Sequence, residues 1–283
     1  MKKRSIDAIV FFLFGLTSVL CIALICFFIF AKGIPTISKI GVSDFLLGIK
    51  WKPKADVFGI FPMILASIIV AVGSAVIGVP IGILCATYMA MFTKGKFYTF
   101  LQGIVDLLAG IPSIVYGFFG LVVLVPVFRE IFSGNGKNIF TASFLLGIMI
   151  LPQIISVSEN AIASVKKTYY DAAIAQGISH ERVVFSVVLP AAKSGIMSSI
   201  ILGIGRSIGE TMAVIMVIGN QPILPKSLFK GARTLTGNIV IEMGYATGIH
   251  RDALLATAMV LFIIVLLINV IYQLATGGKR SNV

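Results

Sequence analysis

Long runs without a charged residue constrain this chain more than any other feature of its sequence. Residues 58–92 form a stretch of 35 residues that contains no Asp, Glu, Lys or Arg. About 20 apolar residues in a helix are enough to cross the hydrocarbon core of a bilayer. Charged residues make up only 12% of the chain, whereas an ordinary soluble domain has roughly 25%. The sequence therefore predicts a polytopic membrane protein.

Six such runs predict six transmembrane helices. A membrane β-barrel would show short segments of alternating polarity instead, so we expect an all-α bundle. We expect Gly73, Gly78, Pro80 and Gly82 to kink or break the second run, and Asp106 alone interrupts the third. The predicted spans are residues 8–31, a segment within 58–92, and residues 97–128, 139–158, 194–218 and 253–275.

The N-terminus begins with a basic cluster that bears on orientation. The uncharged run at residues 8–31 is longer than the roughly 7–15 apolar residues of a signal peptide, so we interpret it as a retained span. Because Lys2, Lys3 and Arg4 precede it, we expect the N-terminus to be cytoplasmic. An even number of spans then places the C-terminus and the loop at 159–193 in the cytoplasm as well.

The net charge of +12 does not indicate a nucleic-acid-binding protein. The basic residues lie in short loops between apolar runs, where they set topology, and they form no continuous basic stripe. A basic external surface would also attract anions, and both interpretations remain open. The three cysteines lie inside apolar runs, and we expect no metal, no cofactor and no catalytic residue in this chain.

The loop between the fourth and fifth runs carries a local pattern of its own. An acidic residue, Asp171, is of the type that favours a helix start, and Ala172 and Ala173 are good helix formers. Gly177 can end that helix in a left-handed conformation, and Ser179 can cap the next one. The pattern predicts two short helices around a glycine, and Pro190 closes the segment.

The same loop resembles the EAA loop of ABC importer permeases, which reads EAA, three residues, G, nine residues, I, one residue, LP. Asp171 stands for Glu and Val187 for Ile, and both changes keep charge or shape. The resemblance implies a type I-like permease bundle whose loop docks into a separate ATPase subunit; an ordinary helical hairpin is the alternative. The residues that it assigns to ATPase coupling are Asp171, Ala172, Ala173, Gly177, Leu189 and Pro190.

Two opposite charges, Arg206 and Glu210, lie within the fifth run. A charge at the middle of a span costs about 2.5–3.5 kcal/mol on insertion scales. A spacing of four places both side chains on one helix face, where they can pair. One interpretation is a route for an oxyanion, whose oxygens match the planar Arg fork, with Glu210 holding Arg206. The other is a structural ion pair that locks helix packing.

Three further segments resemble the PstC-type permease family of phosphate importers. They read RSIGETMAV at residues 206–214, GIPSIVYG at 110–117 and TLTGNI at 234–239, and the resemblance covers most of residues 60–275. It implies inward movement of inorganic phosphate, with Arg206 and Glu210 on the substrate path. The implied partners are a second related permease, two ATP-binding subunits and an external binding protein. The chain has no GxxxxGK[ST] motif, so we expect a partner to hydrolyse ATP.

The expected organisation is a membrane helix and external loop at residues 1–59, a permease core at 60–276 and a cytoplasmic tail at 277–283. The core contains the coupling loop at 169–190, and the expected location is the inner or plasma membrane. Alternatives remain open: another oxyanion, a sugar, a peptide or another small solute could be the substrate. An ion-channel subunit would need no EAA-type loop. An intramembrane hydrolase would need a facing nucleophile and base, which we do not find.

Overall fold

The computed structural model describes residues 2–132, 134–165 and 167–277, and most of them are helical. Within this part, five helices are long and apolar enough to cross a membrane, and a pair bent by 69° supplies a sixth span if it is counted as one. The predicted all-α, polytopic fold is confirmed. The five helices are Ala8–Ile40, Phe61–Met91, Ser113–Phe132, Ile139–Ala163 and Gly248–Leu274, and the bent pair is His180–Ala191 with Lys193–Gly209.

A short antiparallel hairpin is the one sheet in the described residues, and it pairs β1 (Trp51–Lys52) with β2 (Val57–Phe58). Single π-helical turns at Gly120–Leu124 and Val184–Val188 link neighbouring helices. In chain order the helices are α1 (Lys2–Ile40), α2 (Val42–Leu46), α3 (Phe61–Met91), α4 (Gly95–Gly110), α5 (Ser113–Phe119), α6 (Val125–Phe132), α7 (Ile139–Ala163), α8 (Lys167–Ala175), α9 (His180–Val183), α10 (Leu189–Ala191), α11 (Lys193–Gly209), α12 (Met212–Val217), α13 (Leu235–Met243) and α14 (Gly248–Gly277).

The glycines of the second run pack helices together and do not break the run. A Cβ on Gly73 would lie 2.5 Å from Ser143 Oγ, and one on Gly78 would lie 2.7 Å from the carbonyl oxygen of Gly147. Small residues allow this close approach of two helices. The contacts advance in the same direction along both helices, so α3 and α7 run parallel. The expected break is wrong, because α3 is continuous and contains Pro80.

The third run is two helices, and the prediction of one span over 97–128 is wrong. The chain is extended at Ile111 (φ −70°, ψ 125°) and at Pro112 (φ −61°, ψ 143°). Proline disfavours helical backbone at the preceding residue and has no N–H to donate. The Tyr116 hydroxyl donates to the Leu108 carbonyl at 2.8 Å and so ties the two helices across the break.

Helix α3 connects two buried clusters at opposite ends of the bundle. With 31 residues at about 1.5 Å each, α3 is about 46 Å long. At its start Phe58 and Met63 pack with Leu235 and Leu254, and we call this the hairpin end. At its other end buried residues of α3 pack with residues of α7, α8 and α9, and we call this the loop end. These residues are Ala86, Met89, Ile162, Ala173 and Val183.

Helix α1 lies at the edge of the bundle and packs mainly on α14. Phe30 contacts Phe262 edge-on with ring centroids 6.0 Å apart, and Gly33 lies against Met259. The most apolar window of α1 is not buried at all within the chain. An apolar helix surface of this kind faces lipid or another membrane helix.

Candidate functional site

The fifth run is broken at Glu210, one of the two predicted substrate-path residues. Helix α11 ends at Gly209, Glu210 is extended (φ −68°, ψ 132°) and α12 begins at Met212. The Glu210 Oε1 atom accepts hydrogen bonds from the backbone N–H groups of Thr211 (3.1 Å) and Ala213 (3.3 Å). A carboxylate at this position caps the start of α12 and interacts favourably with its dipole.

Arg206 lies in the last turn of α11 and is exposed. Both ion pairs found within the described ranges involve Glu242, so the predicted pair between Arg206 and Glu210 is wrong. The physical reason is that α11 ends before Glu210, which removes the helical spacing of four. The Glu210 carboxylate is instead occupied by the backbone N–H groups of Thr211 and Ala213 at the start of α12. Arg206 makes no hydrogen bond with any residue that the structure describes.

Helix α11 has one packed side and one open side. On the packed side, Ser207 Oγ lies 2.7 Å from Ser74 Oγ of α3, and both side chains are buried. On the other side, no atom lies within 4 Å of a Cβ built on Gly205 or Gly209. We call Gly205, Arg206 and Gly209 the open side of α11.

The loop between α7 and α11 forms two short helices around a glycine, as predicted. Helix α8 ends before Gly177, whose φ is +79° and whose N–H donates to Ile174 O at 2.9 Å. Two details of the prediction are wrong. Asp171 lies in the fifth position of α8 and not at its start, because the helix begins at Lys167. Ser179 occupies the N-cap position of α9 but its side chain accepts no cap hydrogen bond.

The residues assigned to ATPase coupling divide into an exposed surface and a buried support. Ala173 is buried in the loop-end cluster, and Leu189 is half-buried. The exposed members are Asp171, Ala172, Gly177 and Pro190. The chain then bends by 69° before α11 begins.

His180 supports this loop, although nothing in the sequence connects it with other residues. Its Nδ1 atom lies 2.8 Å from the Tyr170 hydroxyl, and its ring packs edge-on against Phe92 with centroids 4.7 Å apart. These contacts join α8, α9 and the end of α3. Many sequences contain a histidine and several distant aromatic residues, so this pattern does not predict the contacts of His180 with Tyr170 and Phe92.

A second polar cluster at the hairpin end was also missed. Glu242 is buried, and its Oε1 atom accepts a hydrogen bond from Arg233 Nη1. Its Oε2 atom accepts from Trp51 Nε1 at 2.9 Å and lies 2.8 Å from His250 Nε2. Arg233 Nη1 also donates to Asn238 Oδ1 at 3.0 Å. We call Trp51, Arg233, Asn238, Glu242 and His250 the Glu242 network.

The Glu242 network joins β1, α13, α14 and the segment before α13. Its members are far apart in sequence, and Trp51 and Glu242 are separated by 191 positions. Partial burial and then the Glu242 carboxylate raise the pKa of the nearby Tyr245 hydroxyl, while Arg233 lowers it. No group of three His, Cys, Asp or Glu side chains in the described part of the chain is placed to hold a metal ion.

Comparison with known families places these features in context. A family model described as the inner membrane component of binding-protein-dependent transport systems matches residues 78–277. A Bacillus subtilis protein named probable ABC transporter permease YqgH is 36% identical over 263 residues, which cover 90% of this chain and 85% of that protein. The phosphate transport system permease PstC of Haemophilus influenzae is 32% identical, covering 84% of this chain and 82% of its own length.

Solved structures show the same fold at lower identity. A chain of the inward-facing MetNI methionine ABC transporter aligns with a TM-score of 0.61 and 21% identity, covering 79% of this chain and 96% of that chain. A chain of a bacterial importer of the acidic polysaccharide alginate aligns with a TM-score of 0.62 and 18% identity, covering 93% and 96%. These likenesses carry information on the fold alone.

Proposed function

This chain belongs to the family of inner membrane components of binding-protein-dependent transport systems, and we propose that it is a permease that moves inorganic phosphate inward. As a member of that family it is a permease subunit of an ABC importer and not an enzyme. The relatives named phosphate transport permeases support phosphate as the substrate. Another relative is named only a probable ABC transporter permease. Because that name gives no substrate, the substrate of this chain requires a direct test.

The observation that carries the proposal is Arg206, which has no ion-pair or hydrogen-bond partner among the described residues and lies beside the helix break at Glu210. A cation within a membrane-spanning segment is costly and marks a substrate or ion pathway by default. Because the Glu210 carboxylate caps α12, it does not neutralise Arg206. The guanidinium is therefore available to replace the lost hydration of a phosphate oxyanion with charge-assisted hydrogen bonds. The missing side chains at Gly205 and Gly209 leave room for the anion beside it.

A mechanical connection runs from the exposed loop to this pathway. In the proposal, the exposed Asp171, Ala172 and Gly177 dock on the ATPase. Leu189 and Pro190 transmit the movement of the docked loop to the bend before α11. Helix α11 has 17 residues and spans about 25 Å, so a tilt at its start moves Arg206 at its end. Alternating access then requires two states of the bundle whose balance the ATPase and the binding protein both bias.

The proposed assembly contains a second related permease, two ATP-binding subunits and an external binding protein. Within α4 only Val105 is buried, and the exposed apolar side chains of that helix support a neighbouring permease as their cover; they are Phe97, Phe100, Ile104 and Leu107. The loop end and both chain termini are cytoplasmic in this proposal, and the hairpin end faces outward. Residues 1–59 are an N-terminal addition to a core at 60–276, followed by a tail at 277–283.

The test is uptake of labelled phosphate by the complete complex in vesicles loaded with ATP. We expect Arg206→Gln to abolish uptake with normal complex yield, while the matched control Arg129→Gln, at an exposed position in α6, keeps it. Normal uptake by Arg206→Gln would refute the role of Arg206. Uptake of sulfate in place of phosphate would instead make this chain a permease for another oxyanion.

A further inference from the structure

A hydrogen bond from α13 reaches the point where the fifth run breaks. The hydroxyl of Thr236 donates to the backbone carbonyl oxygen of Glu210 at 3.1 Å, and Thr236 is 6% exposed. Carbonyl groups at the end of a helix lose their partners within that helix and must find others. Thr236 supplies such a partner at Glu210, so a side chain of α13 holds the backbone at the break.

Thr236 is itself held in place by its neighbours. The Thr234 hydroxyl accepts a hydrogen bond from Gly237 N at 3.1 Å and lies 3.1 Å from Thr236 Oγ1. The backbone N–H of Leu235 donates to Ser67 Oγ of α3 at 3.0 Å. The start of α13 is therefore fixed against the longest helix of the core, and the position of the Thr236 hydroxyl is well defined.

The other end of α13 is anchored at the hairpin end by Glu242. That carboxylate contacts Trp51 of β1, His250 of α14 and Arg233 of the preceding segment. Helix α13 has nine residues, so these contacts and Thr236 lie within about 13 Å along one rigid helix. A displacement of the hairpin or of α14 moves Glu242 and, through α13, the hydrogen bond at Glu210.

We propose that Thr236 is a positioning residue for substrate passage and that α13 is the strut that links the hairpin end to the break at Glu210. The Thr236 hydroxyl sets the position of the Glu210 backbone and thereby the end of α11 on which Arg206 lies. The substrate step rests on the proposed phosphate function, whereas the positioning of the break does not depend on the identity of the substrate.

The first measurement is labelled-phosphate uptake by the reconstituted complex with Thr236→Val, which removes the hydroxyl at nearly constant volume. We expect the maximal uptake rate to fall about tenfold, the factor that corresponds to about 1.4 kcal/mol, with normal complex yield. Thr236→Ser keeps the hydroxyl and should restore the rate. The matched control is Thr257→Val, because Thr257 is fully buried and its hydroxyl donates only to Ala253 O within α14.

The second measurement needs no substrate. Gly209→Cys, in a background without Cys21, Cys26 and Cys85, places a thiol in open space beside the break. We expect its labelling rate by a water-soluble maleimide in the full complex to change at least threefold with Thr236→Val and to return to the parent value with Thr236→Ser.

The outcomes separate this inference from the proposed function. Parent-like labelling and uptake with Thr236→Val would overturn the strut and leave the phosphate permease intact. Equal losses with Thr257→Val, or no recovery with Thr236→Ser, would show a general packing defect and also overturn it. If the parent complex takes up no phosphate but labelling still follows the Thr236 hydroxyl, the strut stands and the proposed substrate falls.

Discussion

Removal of the Glu242 carboxylate is expected to open the hairpin end. Its side chain is 7% exposed and that of Arg233 is 12% exposed, so this ion pair is well shielded from water. Breaking one partner of a buried pair costs about 3–5 kcal/mol, because the remaining charge is left without compensation. Trp51 Nε1 would also lose its acceptor, at a further cost of about 1–3 kcal/mol.

The two costs do not add fully, because Arg233 keeps hydrogen bonds to Asn238 Oδ1 and Asn220 O in the structure. We therefore expect Glu242→Ala to destabilise the closed hairpin end by about 4 kcal/mol, which shifts its opening equilibrium by about a thousandfold. The double replacement Arg233→Met/Glu242→Leu should recover the part of that loss that comes from the uncompensated Arg233 charge, whereas Trp51 Nε1 still lacks its acceptor.

The chain contains a single tryptophan, and its indole N–H donates to Glu242. Fluorescence of the purified chain in detergent therefore reports directly on this contact. We expect Glu242→Ala to shift the Trp51 emission to longer wavelength and to make it accessible to iodide, while Glu130→Ala, at an exposed position in α6, leaves both unchanged. Unchanged emission and quenching in Glu242→Ala would refute the view that this carboxylate holds the hairpin end closed.

Three further predictions follow from packing, backbone conformation and topology. Gly78→Ala places a Cβ 2.7 Å from a backbone oxygen of α7 and should lower the stability of the folded protein by about 1–3 kcal/mol, measured as a lower yield of monodisperse protein. The control is Gly103→Ala, whose added Cβ meets nothing within 4 Å. Equal yields of the two variants would contradict the close packing of α3 and α7. Gly177→Val forces a β-branched residue into a φ of +79° and should weaken co-purification with the ATPase. Gly177→Asn should largely retain co-purification. Full co-purification of the Gly177→Val variant would argue against a coupling role for this turn. Single cysteines at Ser179 and Lys230 should label from opposite sides of the membrane, and labelling from one side would overturn the proposed topology.

The fold class was predictable because charge-free runs of helical length have few alternatives in a bilayer. The break at Ile111 was harder to predict, even though Pro112 follows it. One helix ends and the next begins within a continuous apolar run, so no change in polarity marks the boundary. The two short helices around Gly177 were predicted correctly because a left-handed glycine is a local effect that the neighbouring residues determine. The helix start at Asp171 and the cap at Ser179 were not, since α8 begins at Lys167 and the Ser179 side chain accepts no cap hydrogen bond.

The break at Glu210 could not have been predicted in the same way. No proline lies near it, and the residues around it are compatible with a continuous helix. It depends on N–H groups of α12 and on the hydroxyl of Thr236, which lies 26 positions away. The contact between Trp51 and Glu242 is longer in range still, and nothing in either local sequence indicates the other. Local patterns determine helices and turns, whereas the polar contacts of the site are set by tertiary packing.

The position of α1 has a consequence for how the protein is made. Its main packing partner is α14, and Gly33 meets Met259 from the far end of the chain. At synthesis rates of about 5–20 residues per second, the roughly 225 residues between Gly33 and Met259 take about 11–45 s to emerge. During that time the first helix inserted in the bilayer lacks its main packing partner. We therefore expect α1 to dock last, after the rest of the bundle has assembled.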